Sequence, residues 1–217
     1  IRPQFNDFAS RTQVGNSIAS FFGYVVEGID ANGNLLFQDI DNSGNNKLTP
    51  DSGDKTFIGN PNPDVTFGLN FGLHYKGFDF TTFMTGTAGN DILDATIRYD
   101  ANGLNRPSSY ITEPGAPRNI SVSNSQNGEQ LISDFHIKDG SYLKVKNITL
   151  GYSLPKDALK SFGAKEVRVY VSGQNLLTFT KYTGIDPEIG QNNTNSPLNI
   201  GIDQGFFPQA RQFLLGF

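Results

Sequence analysis

Apolar and polar residues alternate along much of this chain with a period of two. The alternation is most regular over residues 65–75, where every odd-numbered position is apolar and the positions between are small or polar. A period of two predicts a β-strand with one apolar and one polar face. The apolar positions of this first strand are Val65, Phe67, Leu69, Phe71, Leu73 and Tyr75.

Four further segments show the same period. Lys76-Gly77 forms a two-residue turn after the first strand, so the second strand is expected to run back beside it as a hairpin over 64–86. In the third segment the apolar phase changes, which predicts a β-bulge near Lys146-Asn147. The four segments are 78–84, 141–154, 166–180 and 211–217.

The connections between these segments are short on one side and long on the other. The first two strands, and the two strands within 141–180, are joined by short turns, whereas the stretches 1–62, 89–140 and 183–210 are long and polar. This layout is typical of an outer-membrane β-barrel with periplasmic turns and extracellular loops. The sequence therefore predicts an all-β chain with about five antiparallel transmembrane strands, long extracellular loops and a periplasmic C-terminus.

In this interpretation the odd-numbered faces of strands one and four contact lipid, and the even-numbered faces contact the lumen or a plug domain. Five strands cannot close a barrel, since bacterial single-chain barrels begin at about eight strands. The chain is therefore expected to be one part of a larger barrel. A soluble β-sandwich remains the alternative, because its strands alternate in the same way.

Composition narrows the possible classes. Charged residues are 18% of the chain, the net charge is −4, and there are 24 Gly and 18 Phe but no Cys and no Trp. These values exclude a coiled coil, a disulfide-stapled miniprotein and a zinc ribbon, and they give no support to nucleic-acid binding. No apolar run reaches the roughly 18 residues of a transmembrane helix.

Enzymatic chemistry finds no support in the sequence. His74 and His136 lie far apart, and the chain has no cysteine nucleophile and no phosphate-binding glycine loop followed by Lys-Ser/Thr. His74 is expected to be a hydrogen-bonding residue of the polar face. The chain is therefore predicted not to be an enzyme.

The segment 39–54 resembles a calcium-binding loop with oxygen ligands. Carboxylate, hydroxyl and amide side chains alternate there, but Pro50 stands where the twelve-residue loop needs a glutamate. Two interpretations remain: a hydrated polar loop, and a cation site that prefers calcium because its donors are hard oxygens. The candidate ligands are Asp39, Asp41, Ser43, Asn45, Asp51 and Asp54.

Aromatic residues within the long loops also have two interpretations. They can stack on sugar rings or line a protein interface, but more often such residues form the packed core of an ordered loop. Packing is therefore the expectation for most of them. The residues are Phe21, Phe22, Tyr24, Tyr99, Tyr110, Phe206 and Phe207.

Local strings in a fixed order carry a resemblance to a known family. Examples are DGSYLKVKNITLGY at 139–152 and VYVSGQNLLTFTKY at 169–182. Together with the others they make the chain resemble the SusC/RagA-type TonB-dependent transporters of the Bacteroidetes outer membrane. The remaining strings lie at 14–24, 37–41, 58–64, 186–188 and 205–211.

The resemblance implies a barrel of about 22 strands, of which residues 1–217 would be the C-terminal part. The plug domain and the TonB box of such transporters are expected to lie outside this chain. The implied function is import of oligosaccharides or peptides, energised through TonB, with a SusD-type surface lipoprotein as partner and outer-membrane lipid around the barrel. The alternatives are a soluble calcium-dependent glycan-binding or adhesin domain and a passive porin.

The terminal strand, 211–217, resembles the C-terminal signal by which barrel proteins are recognised for membrane insertion. Phe213, Leu215 and Phe217 alternate on its apolar face. An open strand edge in lipid leaves backbone groups unsatisfied. This strand is therefore expected to pair with strand four on one edge and with the first strand of the barrel on the other.

Overall fold

The computed structural model of the chain describes residues 9–30, 35–96, 125–126, 129–155, 159–160, 163–189 and 199–217. Regular structure in this part is dominated by β-strands, with short 3-10 helices at Ser52–Asp54 and Asp134–His136. Among these residues, no helix has the length and apolar character that crossing a membrane requires. The strands are β1 (Ser10–Arg11), β2 (Ser20–Gly23), β3 (Val26–Ile29), β4 (Leu35–Phe37), β5 (Thr56–Gly59), β6 (Val65–Tyr75), β7 (Phe78–Ala88), β8 (Asp91–Asp94), β9 (Ser125–Gln126), β10 (Glu129–Gln130), β11 (Ile137–Asp139), β12 (Tyr142–Ser153), β13 (Arg168–Thr180), β14 (Ile202–Asp203) and β15 (Gln212–Gly216).

The five long alternating segments form one antiparallel sheet in the order β15-β13-β12-β7-β6. This confirms the five predicted strands and the pairing of the terminal strand with strand four. The turn between β6 and β7 has positive φ at both Lys76 (46°) and Gly77 (85°). That geometry matches the right-handed twist of the flanking strands and accounts for the tight hairpin.

The predicted bulge is confirmed on β12. Its pairing with both β7 and β13 shifts register between Val145 and Asn147. On β13 the pairing passes from Gln174 to Leu177, and Asn175 between them has a φ of 53°. The two irregularities face each other, so the apolar phase of both strands changes together.

The predicted end of the second strand was wrong. The strand continues past residue 84 to Ala88, so the hairpin spans 65–88 rather than 64–86. Gly86 and Ala88 occupy apolar-face positions, but they are small, so the sequence shows no large apolar residue at alternate positions beyond residue 84. The ring of Phe67 lies over Gly86 and leaves no room for a Cβ there.

The sheet has two chemically different faces. Directly opposite residues of an antiparallel pair share a face, and the register aligns Leu69 with Met84, Met84 with Val145, and Val145 with Leu177. We call the resulting surface the apolar face. Its exposed large side chains are Val65, Phe67, Leu69, Phe71, Leu73, Tyr75, Phe78, Leu150, Val169, Val171, Leu177, Phe179, Phe213 and Leu215.

This apolar face is not covered by any described segment of the chain. Phe213 is 76% exposed and Leu215 is 81% exposed, and Phe217 is fully exposed. A β-sandwich would bury these side chains against a second sheet. The sandwich alternative is therefore wrong for this chain.

The long loops pack into one body with its own hydrophobic core, which we call the loop body (described residues of 9–62, 89–140 and 199–205). It contains the sheets β1-β2-β5 and β11-β8-β14 and the hairpin β3-β4. Each long loop contributes to the larger core cluster. Its buried members are Phe21, Leu93, Ala95, Ile132 and Ile202.

Most of the described loop aromatics are packed, as expected. Phe21 and Tyr24 are buried, and Phe22 meets Phe57 edge-to-face at 5.3 Å. Phe207, in contrast, is 93% exposed, and Phe206 is partly so. Tyr99 and Tyr110 lie outside the described residues.

Candidate functional site

The face opposite the apolar face, which we call the polar face, carries paired charges near the β6–β7 turn. Arg168 donates from Nε to Asp79 Oδ1 at 2.9 Å and from Nη2 to Asp79 Oδ2 at 2.5 Å. Gly151 lies beneath this pair, and a Cβ there would overlap both side chains. His74, exposed and in register with Asp79, lies on the same face as predicted.

Neutral polar side chains continue this face toward the bulge. The hydroxyls of Thr149 and Ser172 lie 2.8 Å apart across β12 and β13. Asn147 Nδ2 donates to Ser172 Oγ at 3.2 Å, and Thr149 Oγ1 donates to Asn147 Oδ1 at 3.0 Å. The polar face is thus suited to contact water or polar groups, whereas the apolar face is suited to lipid.

A buried lysine joins the polar face to the loop after β13. Lys144 Nζ lies 2.6 Å from Asp186 Oδ1 and 2.9 Å from Glu188 Oε2, and Lys146 also pairs with Glu188. Sequence reasoning missed this network. The sequence shows Lys-Val-Lys at 144–146 and Asp-Pro-Glu at 186–188. These strings contributed to the family resemblance, but nothing in them indicates that they pair with each other.

Three of the six candidate calcium ligands come together in the segment 39–54. Carboxylate oxygens of Asp39, Asp41 and Asp54 all lie within 4.8 Å of one another. The 3-10 helix at Ser52–Asp54 returns the chain to the first two aspartates. The third carboxylate, that of Asp54, therefore lies C-terminal to the twelve residues that were compared with a calcium-binding loop.

Asp54 is the anchor of this cluster. It is fully buried, and it accepts from Ile40 N at 2.8 Å and from Asn45 Nδ2 at 2.6 Å. Burial alone would raise its pKa, but the hydrogen bonds from Asn45 and from backbone N–H groups outweigh burial and lower the pKa of Asp54. The carboxylate is thus held ionised.

The other candidates play supporting parts. Ser43 N donates to both Asp39 and Asp41, at 3.1 and 3.0 Å. Asp51 is the N-cap of the 3-10 helix, where its carboxylate accepts from Gly53 N at 2.7 Å. It is not a member of the three-carboxylate cluster.

Comparison with known proteins gives clear relatives for the chain. No protein-family model matches it. TonB-dependent receptor P3 of Formosa agariphila is 37% identical over 223 residues, which cover 93% of this chain and 22% of the relative. SusC of Bacteroides thetaiotaomicron, also a TonB-dependent receptor, is 33% identical over 211 residues, covering 94% and 19%. The chain is homologous to SusC/RagA-type TonB-dependent receptors.

Solved structures agree in fold. The RagAB peptide transporter matches 97% of this chain and 23% of its own, with a TM-score of 0.71 at 20% identity. The 'closed-closed' state of the RagAB peptide importer matches with a TM-score of 0.67 at 21% identity, covering 97% and 24%. The chain spans about a fifth of the length of the relatives that it matches.

Homology confirms four of the sequence predictions. The family resemblance and the all-β barrel-segment fold are both supported over almost the whole chain. The homology also assigns the chain to the outer membrane. Receptors of this type are transporters rather than enzymes, as predicted.

His136 lies in a different part of the structure from His74. It is fully buried in the loop body, edge-on to Phe135 with 5.7 Å between ring centroids. Burial lowers the pKa of His136 to about 4; Ser133 opposes the shift and the charge of Lys138 adds to it. Among the described residues, neither histidine joins a group that could hold a metal ion.

Lowering the pH from 6.5, the ordinary pKa of histidine, to about 4 is expected to loosen the segment 131–138. In this interval the opened segment binds a proton at His136 that the folded segment excludes, so protons favour opening. The hydrogen-exchange protection factors of this segment, which are corrected for the pH dependence of intrinsic exchange, should fall as the pH falls through the interval. His136→Gln should remove most of that dependence, and an identical pH dependence in both proteins would contradict the assignment.

Proposed function

We propose that this chain is the C-terminal part of the barrel of an outer-membrane transporter that imports oligosaccharides or peptides with energy relayed through TonB. One observation carries the proposal: a single-layer sheet with an uncovered apolar face and a polar opposite face. The homology supports it, because the relatives are named TonB-dependent receptors and a structural neighbour is a peptide transporter.

Lipid contact explains why the apolar face is exposed. Large apolar side chains in that number are unfavourable in water but stable in a bilayer, where strands alternate apolar-out and polar-in. Among the described residues, no strand pairs with the outer edges of β6 and β15, which end the sheet. Further strands of the same protein are expected to pair with both, because unpaired backbone groups do not persist in lipid.

The terminal strand fits the same role. Phe213, Leu215 and Phe217 extend from the apolar face beside β13, with no described residue packed over them. We propose that they form the signal by which the assembled barrel is recognised for insertion, on the periplasmic side.

The loop body is proposed to lie outside the cell and to contact a SusD-type surface lipoprotein. It is built from the three long loops, and Val14, Ile18 and Phe207 are exposed apolar residues on it or beside it. Exposed apolar side chains on an otherwise ordered body are typical of an interface. The name RagAB describes a two-component neighbour, which supports a partner of this kind.

Uptake measurements test the transport function. Cells that carry the complete transporter should accumulate a labelled oligosaccharide or peptide mixture, and deletion of its gene or of TonB should abolish this uptake. Uptake that persists after the proton gradient is collapsed would favour the passive porin instead. A protein that stays soluble without detergent would contradict the membrane-embedded barrel.

Cysteine labelling tests which side the loops occupy. The chain contains no Cys, Val14 is fully exposed at the tip of a loop-body turn, and Lys76 lies in the β6–β7 turn. We expect a membrane-impermeant maleimide to label Val14→Cys on intact cells, and to label Lys76→Cys only after the outer membrane is permeabilised. The reverse pattern would invert the proposed topology.

We also propose that Asp39, Asp41 and Asp54 bind a divalent cation, calcium by preference. The observation that favours it is the convergence of three carboxylates, one of them buried and held ionised. Hard oxygen donors without thiolate or imidazole suit calcium better than softer metals. A bound cation would offset the repulsion among the carboxylates and brace the loop body.

Calcium titration of neutralised variants tests this site. Asp54→Asn keeps a hydrogen-bond acceptor for Ile40 N but removes the buried charge, so calcium affinity should fall by about tenfold or more. Asp51→Asn, which leaves the three-carboxylate cluster intact, should lose little. Terbium luminescence and its quenching by calcium provide the measurement. Equal losses in the two variants, or no saturable binding in the parent protein, would contradict the assignment.

A further inference from the structure

A cavity of about 470 Å³ lies between two loops at the C-terminal end of β13. One wall is formed by the loop 184–187 and the other by the segment 208–211. Its volume falls within the range of about 300 to 1,000 Å³ that is usual for small-ligand sites. The site is therefore large enough for a short oligomeric ligand.

Both walls are held in place by hydrogen bonds and ion pairs. Asn175 Nδ2 donates to the carbonyl of Ala210 at 3.1 Å, which ties the second wall to β13. The first wall is tied to β12 through Lys144 and Asp186 at 2.6 Å. A site with fixed walls loses little entropy when a ligand enters.

The floor of the cavity includes an open strand edge. β13 pairs with β12 up to Thr180 except at the bulge residues Asn175 and Leu176, whereas β15 pairs only with Tyr170 to Gln174. In the described part of the chain, residues 176–180 therefore have no strand neighbour on the β15 side. Backbone groups on such an edge can take an added strand from an extended peptide.

The two cationic residues that line the cavity differ in their ion-pair partners. Lys144 is neutralised by Asp186 and Glu188, whereas Arg211 has no carboxylate partner among the described residues. The remaining polar lining is neutral, with Asn175, Thr178, Thr180 and Gln209. None of the described lining residues is aromatic, so the site has no ring on which a sugar could stack.

We propose that this cavity binds an extended peptide whose main chain pairs with residues 176–180 of β13 and whose carboxylate is held by Arg211. The inference rests on the proposed transport function and narrows the cargo to peptides that carry an acidic group. An arginine–carboxylate pair provides the anchor, and the open edge provides main-chain recognition that tolerates different side chains.

Peptide binding to the full-length transporter in detergent tests the inference. The probes are the pentapeptide Ala-Ser-Ala-Ser-Ala with a free C-terminus, its C-terminal amide, and that amide with aspartate at the central position. The two acidic probes should bind about tenfold or more tightly than the neutral amide. Arg211→Gln should erase this difference, and Lys76→Gln, a loss of positive charge in the distant turn, should preserve it.

Two further probes separate the possible sources of recognition. Backbone N-methylation of either acidic pentapeptide should weaken its binding, because it removes main-chain hydrogen-bond donors. Trigalacturonate, an acidic oligosaccharide, should bind poorly. Which of the two acidic peptides binds more tightly tells whether the anchor is a terminal or a side-chain carboxylate.

The inference is overturned if the parent protein binds acidic and neutral peptides equally, if N-methylation has no effect, or if trigalacturonate binds as well as the peptides. If Arg211→Gln weakens the binding of all probes equally and Arg211→Lys does not restore the acid preference, Arg211 has a structural role and the inference is overturned. Recovery of the acid preference in Arg211→Lys supports it. TonB-dependent uptake is measured in the same strains. Intact uptake with no acid preference would remove this inference and leave the proposed function standing.

Discussion

Replacing Leu69 with arginine is expected to block assembly of the barrel, whereas the same replacement at the adjacent Asn70 is expected to be tolerated. Leu69 lies on the apolar face of β6 and is 55% exposed; Asn70 lies on the polar face. An arginine on the lipid face costs about 2–4 kcal/mol near the bilayer midplane. The measurement is the fraction of protein that reaches the heat-modifiable folded form.

The pair is well matched because both residues are exposed and lie in the middle of one strand. A difference in local burial therefore does not explain a difference in assembly. If both variants assemble equally well or equally poorly, the assignment of the two faces to lipid and lumen is wrong.

Replacing Lys144 with methionine is expected to release the loop 181–189 from the sheet. The side chain of Lys144 is 7% exposed and that of Asp186 is 12% exposed, so the change leaves a nearly buried carboxylate without its counter-charge. Breaking a buried pair in this way costs roughly 3–5 kcal/mol. Hydrogen exchange and limited proteolysis of 181–189 provide the measurement.

Lys146→Met is the matched control for this prediction. Lys146 is more exposed and, within the described part of the chain, forms an ion pair only with Glu188, which keeps its ion pair with Lys144 in that variant. The control should therefore loosen the loop much less, since exposed pairs contribute about 1 kcal/mol or less. Restoration of protection by Asp186→Asn in the Lys144→Met background would confirm that the unpaired carboxylate causes the loss.

Local pattern was sufficient for the sheet but not for all of its limits. The turn at Lys76-Gly77 and the bulge at Lys146-Asn147 were both predictable, because each depends on the backbone and side-chain phase of a few neighbouring residues. The extension of β7 to Ala88 was not, because Gly86 has no side chain to mark its face. Only the position of Phe67 over Gly86 explains the small residue.

The candidate sites were predictable in composition and not in geometry. The acidic segment was visible as a cation loop, yet the choice of Asp54 over Asp51 depends on a 3-10 helix that reverses the chain. The pairing of Lys144 with Asp186 joins residues on different elements, and nothing in the local sequence of either residue indicates the other.

The sequence by itself determined the strands, their two faces and the antiparallel hairpins at the short turns, because a period of two and short turns are local properties that act on neighbouring residues. Only the tertiary structure decided how the long loops pack. Phe21, Leu93 and Ile202 meet in one core, and β8 pairs in parallel with β14, although long stretches of chain separate them. Such contacts form when distant apolar residues leave water together, so their partners follow from the whole fold and from no single segment.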